Sequence, residues 1–177
     1  ISVMAGVLAP EKGHAMVNIP TFYSEKLAYG PQIAQAMEKN KSLRFDLDTP
    51  VEEIVRKTAK MRGKSVREVV VVVLDRPRHD HIIKSVRKVG AALRLISDGD
   101  VTAAIAPSLP DSGVDLYIGI GGSPEGVLTA AALRALGGDQ QLRMWLRDDE
   151  ERARIAHDPA AKDLKKIFRS ADLVTGD

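Results

Sequence analysis

The sequence predicts an α/β domain whose strands run largely parallel over residues 69–136. Three observations carry this reading. Val69–Leu74 is six apolar residues, five of them valine, too short for a typical helix and rich in β-branching, so it reads as a fully buried strand. Two more short apolar runs follow, Ala92–Ser97 and Val114–Ile120. Segments of helical period separate all three, and a strand, helix, strand, helix, strand, helix order implies parallel strands joined by right-handed crossovers.

The elements follow in chain order. Ile1–Leu8 reads as a strand that Pro10 and Gly13 end, and His14–Pro20 has no decisive period. Pro31 opens a short helix, Gln32–Lys39, and the polar segment Asn40–Asp48 reads as loop. Thr49 is placed to cap the next helix, with Pro50 at its first position and Glu52 and Glu53 in the first turn. Val51, Ile54, Val55 and Met61 recur at helical spacing there until Gly63. After the valine strand, Ile82, Ile83, Val86 and Val89 share one helix face, and Gly90 stops it. Val101–Ala106 suits a short helix before Pro107, and Pro124–Leu136 is an alanine-rich helix closed by Gly137-Gly138. Leu142–Leu146 reads as a further strand, and Asp148–Phe168 as a charged helical tail interrupted by Pro159.

Composition narrows the functional classes. The 177 residues are enough for a hydrophobic core, and 44% hydrophobic with 28% charged residues is ordinary for a soluble globular protein. Lysine and arginine number 26 against 24 acidic residues, with no run of five like charges, which argues against a nucleic-acid tail. The absence of cysteine excludes disulfides, thiolate metal sites and cysteine nucleophiles, and fits a cytoplasmic setting. No stretch approaches the roughly 18 apolar residues of a membrane span. Ile1–Leu8 lacks the charged leader of a signal peptide, and a chain opening inside an apolar run leads us to expect an upstream segment.

The polar residues cluster by position. Each of the three strands is followed by a compact polar group: Asp75-Arg76-Pro77-Arg78-His79, Ser97-Asp98-Gly99-Asp100, and Gly121-Gly122-Ser123-Pro124-Glu125-Gly126. Open parallel sheets bind ligands beyond the carboxyl ends of their strands, so neighbouring strands would bring these loops together. Arg76 and Arg78 flank Pro77 and read either as phosphate-binding forks or as solvated charges at a helix start. Asp98 and Asp100 around Gly99 suit sugar hydroxyls or a hard cation, or a turn in which Asp100 caps the next helix. Gly121 and Gly122 permit close backbone approach, and Pro124 leaves free N–H groups at a helix start. Glu125, in the first turn, is a metal ligand or a surface glutamate favoured by the helix dipole.

Several rival chemistries fail on spacing. Read from Gly119, the third glycine of a dinucleotide fingerprint falls on Pro124, and no lysine follows a suitable glycine as a phosphate loop requires. None of His14, His79, His81 and His157 forms a zinc-binding HExxH, and no G-x-S-x-G is present. His79 reads either as lining the site beside Arg78 or, the commoner case, as a partly exposed helix-start histidine, and Trp145 reads as packing.

Taken together the loops resemble those of class II fructose-1,6-bisphosphatases. The resemblance lies in Val73–His79, Ser97–Val101, Gly119–Val127, Ala132–Asp139 and Arg147–Arg152, with Tyr23–Pro31 similar to the family's Tyr-x-x-Lys-x-x-x-Gly-Pro element. It implies a layered α/β sugar-phosphatase fold, with residues 1–68 ending an N-terminal phosphatase subdomain and residues 69–177 forming a sugar-phosphate-binding subdomain. It further implies hydrolysis of the 1-phosphate of fructose 1,6-bisphosphate in carbohydrate metabolism, Mg²⁺ or Mn²⁺ as cofactor, and a homo-oligomeric assembly. Tyr23, Arg76, Pro77, Arg78, Asp98, Gly99, Asp100 and Gly122 match substrate-binding positions, and Glu125 matches a metal ligand. The family's main acidic metal motif, ending in Glu-Gly-Thr, is not in these residues, nor is its glycine- and threonine-containing C-terminal segment. The chain alone is therefore expected to be inactive. Sedoheptulose 1,7-bisphosphate is an additional candidate substrate. A non-catalytic sugar-phosphate-binding module and a nucleotide-cofactor enzyme are the alternative readings.

Overall fold

The computed structural model describes residues 23–156 and 164–175. The expected strand Ile1–Leu8, the segment His14–Pro20 and Pro159 lie outside the described residues. In chain order the elements are β1 (Tyr23–Tyr29), α1 (Pro31–Lys39), α2 (Val51–Arg62), β2 (Val70–Leu74), α3 (Asp80–Val89), β3 (Ala92–Ile96) and α4 (Asp100–Ile105). They continue with β4 (Leu116–Gly122), α5 (Ser123–Leu136), β5 (Asp139–Trp145), α6 (Asp149–Ile155), β6 (Phe168–Arg169) and α7 (Ser170–Leu173).

The strands form one six-stranded sheet in the order β3-β2-β4-β1-β5-β6. β2 runs parallel to both β3 and β4, as the alternation of elements predicts. The other half is antiparallel: β1 pairs with β4 and β5, and β5 with β6. β1 sits between β4 and β5, so residues on both sides of position 68 share this sheet. The sequence reading assigned no strand there, because Ser24, Glu25 and Lys26 break the apolar pattern.

Helices cover both faces. On one face Leu27, Tyr29, Val71, Val73, Leu116 and Ile118 pack against Ile33 and Met37 of α1, Ile54 and Val55 of α2, and Ile82 and Val86 of α3. On the other, Ala28, Val72 and Tyr117 meet Ala103 and Ala104 of α4 and Leu133 of α5. Burial on both sides explains why β2 is a continuous valine run rather than an alternating one. Each such buried aliphatic side chain contributes on the order of 1.5–3 kcal/mol.

Two local expectations need correction. Thr49 does not cap α2. Its hydroxyl bonds back to Asp46, and Pro50 occupies the N-cap position without a side-chain cap. Among the described residues the charged tail is helical only over Asp149–Ile155, and its far end is strand rather than helix. Asp148 caps the short α6 by accepting from Glu151 N at 2.8 Å, and Phe168 pairs as strand with Leu142.

Candidate active site

The three predicted polar loops meet at the carboxyl ends of β3, β2 and β4, which are adjacent in the sheet. Pairing between β2 and β4 is confined to Val71↔Leu116 and Val72↔Tyr117, although both strands run further. The histidine that follows Arg78 bridges the gap. Ile120 N donates to His79 Nε2 at 2.7 Å, which makes Nε2 the acceptor and leaves Nδ1–H to donate to Leu74 O at 2.7 Å. The 3.1 Å approach of Nε2 to Ile120 O is then a contact of two acceptors. His79 is fully buried, not partly exposed as its helix-start position suggested, and desolvation holds its pKa below the usual histidine value.

The arginines occupy different places. Arg76 is exposed and ties the tip of β2 to that of β3, donating to Asp75 O at 2.9 Å and Ser97 O at 2.6 Å. Arg78 is half-buried and donates through Nε to Ile120 O at 2.8 Å, and its guanidinium lies 5.2 Å from the centre of the Tyr23 ring. Arg147 stands at the same distance from that ring, and Trp145 meets it edge-on at 6.2 Å. Tyr23 thus carries two cations, a geometry that keeps their charge near one spot. Pro77 starts the three-residue turn between Arg76 and His79.

Beyond the tip of β3, Asp98 is exposed and accepts from Gly99 N at 2.7 Å. Gly99 adopts φ 88°, a left-handed turn that favours glycine. Asp100 does not cap α4. It is the first residue of that helix, and its Oδ2 accepts from Lys26 Nζ at 2.7 Å. Gly121 makes room for this pair, since a Cβ there would lie 2.5 Å from Asp100 Oδ2 and 3.3 Å from Lys26 Nζ. At the next residue, a Cβ on Gly122 would overlap the Glu125 carboxylate, which folds back over the strand tip. Glu125 Oε2 is buried with no hydrogen-bond partner. Ser24 and Ser123 share a 2.5 Å hydrogen bond beside it.

Arg78, Tyr23, Asp100, Gly122 and Glu125 therefore come together around Ile120–Gly122, while Arg76 and Asp98 stand at the outer rim. Lys26, Ser24 and Arg147 were not singled out from the sequence. Lys26 had one signal, its place in the Tyr-x-x-Lys element. A buried carboxylate oxygen lacking a partner is what a cation would satisfy, so Glu125 fits as one ligand of a divalent metal. Among the described residues no group of three His, Cys, Asp or Glu side chains could hold the ion.

A cleft of about 500 Å³ lies at the opposite end of β4, lined by Arg62, Lys64 and the loop 107–115. Its two cations both bind the buried Asp115, so their charges are already matched. The convergence of charged groups on the β4 tip makes that end the candidate site. Among the described residues no helix is long and apolar enough to cross a membrane.

The family model described as bacterial fructose-1,6-bisphosphatase, glpX-encoded, matches residues 1–177. The class 2 fructose-1,6-bisphosphatase of Haemophilus influenzae is 40% identical over 182 residues, covering 97% of this chain and 52% of that protein. The fructose-1,6-bisphosphatase 1 class 2 of Escherichia coli is 35% identical over 187 residues, covering 99% of this chain and 53% of that protein. The chain spans about half the length of these relatives. With residues 1–177 matched by that family model, the chain belongs to the bacterial, glpX-encoded fructose-1,6-bisphosphatase family.

Proposed function

We propose that the native protein hydrolyses the 1-phosphate of fructose 1,6-bisphosphate to give fructose 6-phosphate, with Mg²⁺ or Mn²⁺ as cofactor. The observation that carries this reading is the meeting of Arg78, Asp100 and Glu125 around the β4 tip, with Glu125 Oε2 buried and unpartnered. Arg78 keeps its terminal guanidinium nitrogens for a phosphate, because only Nε is engaged by Ile120. Tyr23 forms the wall beside it and holds Arg147 close, so two positive charges face a doubly phosphorylated sugar. Asp100 and Asp98 accept hydrogen bonds from sugar hydroxyls, and the exposed Arg76 and Pro77 shape the entrance with Gly99. Gly122 lets the ligand approach the backbone, and Glu125 supplies one carboxylate to the metal. The bound ion supplies activation of water and neutralisation of phosphoryl charge.

The native protein works in the cytoplasm as a homo-oligomer and also accepts sedoheptulose 1,7-bisphosphate. Phosphate release from both bisphosphates, with each metal and with fructose 6-phosphate as a control, tests the reading. Turnover of neither bisphosphate by metal-loaded native protein would end it. Residues 1–177 alone are expected to show no turnover, since Glu125 is one ligand where a catalytic metal needs several.

A further inference from the structure

Lys26 is fully buried in the central strand β1, in register with Gly119 on one side and Leu142 on the other. Burying an ammonium costs several kcal/mol unless it is paired, and its partner is Asp100 at 2.7 Å, itself largely buried. Such a pair is a poor stability device, because apolar residues of similar volume serve as well or better. What it does provide is a fixed carboxylate. Oδ2 is held by Nζ, and Oδ1 has no hydrogen-bond partner among the described residues. The surrounding backbone is built around the pair: Gly121 leaves space for both charged ends, and a Cβ added at Gly126 would lie 3.7 Å from the Lys26 stem. Nζ itself has no solvent exposure, so it does not touch a ligand.

We propose that Lys26 is a positioning residue for sugar recognition: through its ion pair it orients Asp100 so that Oδ1 accepts a hydrogen bond from a sugar hydroxyl. This inference rests on the sugar-phosphate reading above. It assigns Lys26 no contact with phosphate. Removing the ammonium frees the carboxylate to rotate and leaves it without its partner, which weakens sugar binding while leaving the phosphate contacts of Arg78 in place. A hydrogen bond to a charged group sets the scale at roughly 10- to 100-fold in affinity.

The test is a double-mutant cycle in the native gene product, read by calorimetric titration with fructose 6-phosphate and, separately, inorganic phosphate. Lys26→Met is expected to weaken fructose 6-phosphate binding by roughly 10- to 100-fold and leave inorganic phosphate binding unchanged. In an Asp100→Ala background, Lys26→Met should cost nothing further. Lys26→Gln, which retains a donor to Asp100, should lose less than Lys26→Met, and it stands in for that variant if Lys26→Met fails to fold. Unchanged fructose 6-phosphate affinity in the folded Lys26 variants overturns the inference alone. A full loss persisting in the Asp100→Ala background does the same, as does an equal loss of inorganic phosphate. Wild-type protein that takes up inorganic phosphate but not fructose 6-phosphate removes the proposed function, and the role of Lys26 with it.

Discussion

The carboxylate of Glu125 lies where a side chain at Gly122 would stand, with Oε2 buried and unpartnered. A glycine three residues earlier in the chain is thus the reason this glutamate can fold back over the strand tip. Under the proposed function, two outcomes follow for the native protein. Glu125→Gln keeps the shape but removes the charge, and should lower metal affinity and kcat by more than roughly 100-fold, beyond the 10- to 100-fold typical of outer-shell changes. Gly122→Ala should do much the same without touching a ligand, because its methyl group displaces the carboxylate. Mn²⁺ titration followed by electron paramagnetic resonance checks both, and wild-type affinity in either variant would refute the account.

Arg78 reaches the site with its Nε already bonded to Ile120 O and its plane near Tyr23. Arg78→Ala should raise KM for fructose 1,6-bisphosphate by roughly 10- to 100-fold with little change in kcat, because hydrogen bonds to charged groups are lost from binding. Arg78→Lys should recover little, since lysine has a point charge and no rigid fork. Steady-state kinetics decide it. A KM within twofold of wild type would remove Arg78 from phosphate binding.

Much of the fold was legible because its signals are local. The valine run of β2 and the glycine stops of α2, α3 and α5 are contiguous patterns that need no distant partner. β1 was not legible, because its polar residues are buried through partners far along the chain. Lys26 is matched by Asp100, and Glu25 by Arg143 at 2.8 Å. The same reason hid the environment of His79, whose ring is satisfied by backbone groups of Leu74 and Ile120. Within the site, the sequence pointed to the right loops, but which arginine faces inward depends on how β2 and β4 part after Val72 and Tyr117.

At the far end of the sheet, Asp115 is buried and accepts from Arg62 Nε, Lys64 Nζ and Val70 N at 2.8–3.0 Å. It locks the loop before β4 to the start of β2. Asp115→Ala should destabilise by about 1–3 kcal/mol, chiefly through the orphaned Val70 N–H. The cost stays below that of most broken buried pairs because Arg62 and Lys64, 27% and 29% exposed, can turn toward water. Urea unfolding gives the loss, and KM for the sugar bisphosphate should be unchanged. A shifted KM with intact stability would mean that the two ends of the sheet are coupled.

His79 gives the fold an acid limit. Desolvation, with Arg78 nearby, holds its pKa below the unfolded value, while the hydrogen bond to Leu74 opposes that shift. The folded state therefore favours the neutral ring, and this contribution to stability is complete above the unfolded pKa of about 6.5. It is lost as pH falls through the lower, folded value, when a proton on Nε2 would face the Ile120 N–H that it now accepts from. Thermal melting between pH 8 and pH 5 should show Tm falling on the acid side of about pH 6.5. His79→Gln can donate to Leu74 O and accept from Ile120 N without titrating, so the acid decline should flatten in that variant even if its Tm at pH 8 is lower. An equally steep decline in His79→Gln would assign the acid sensitivity to other groups.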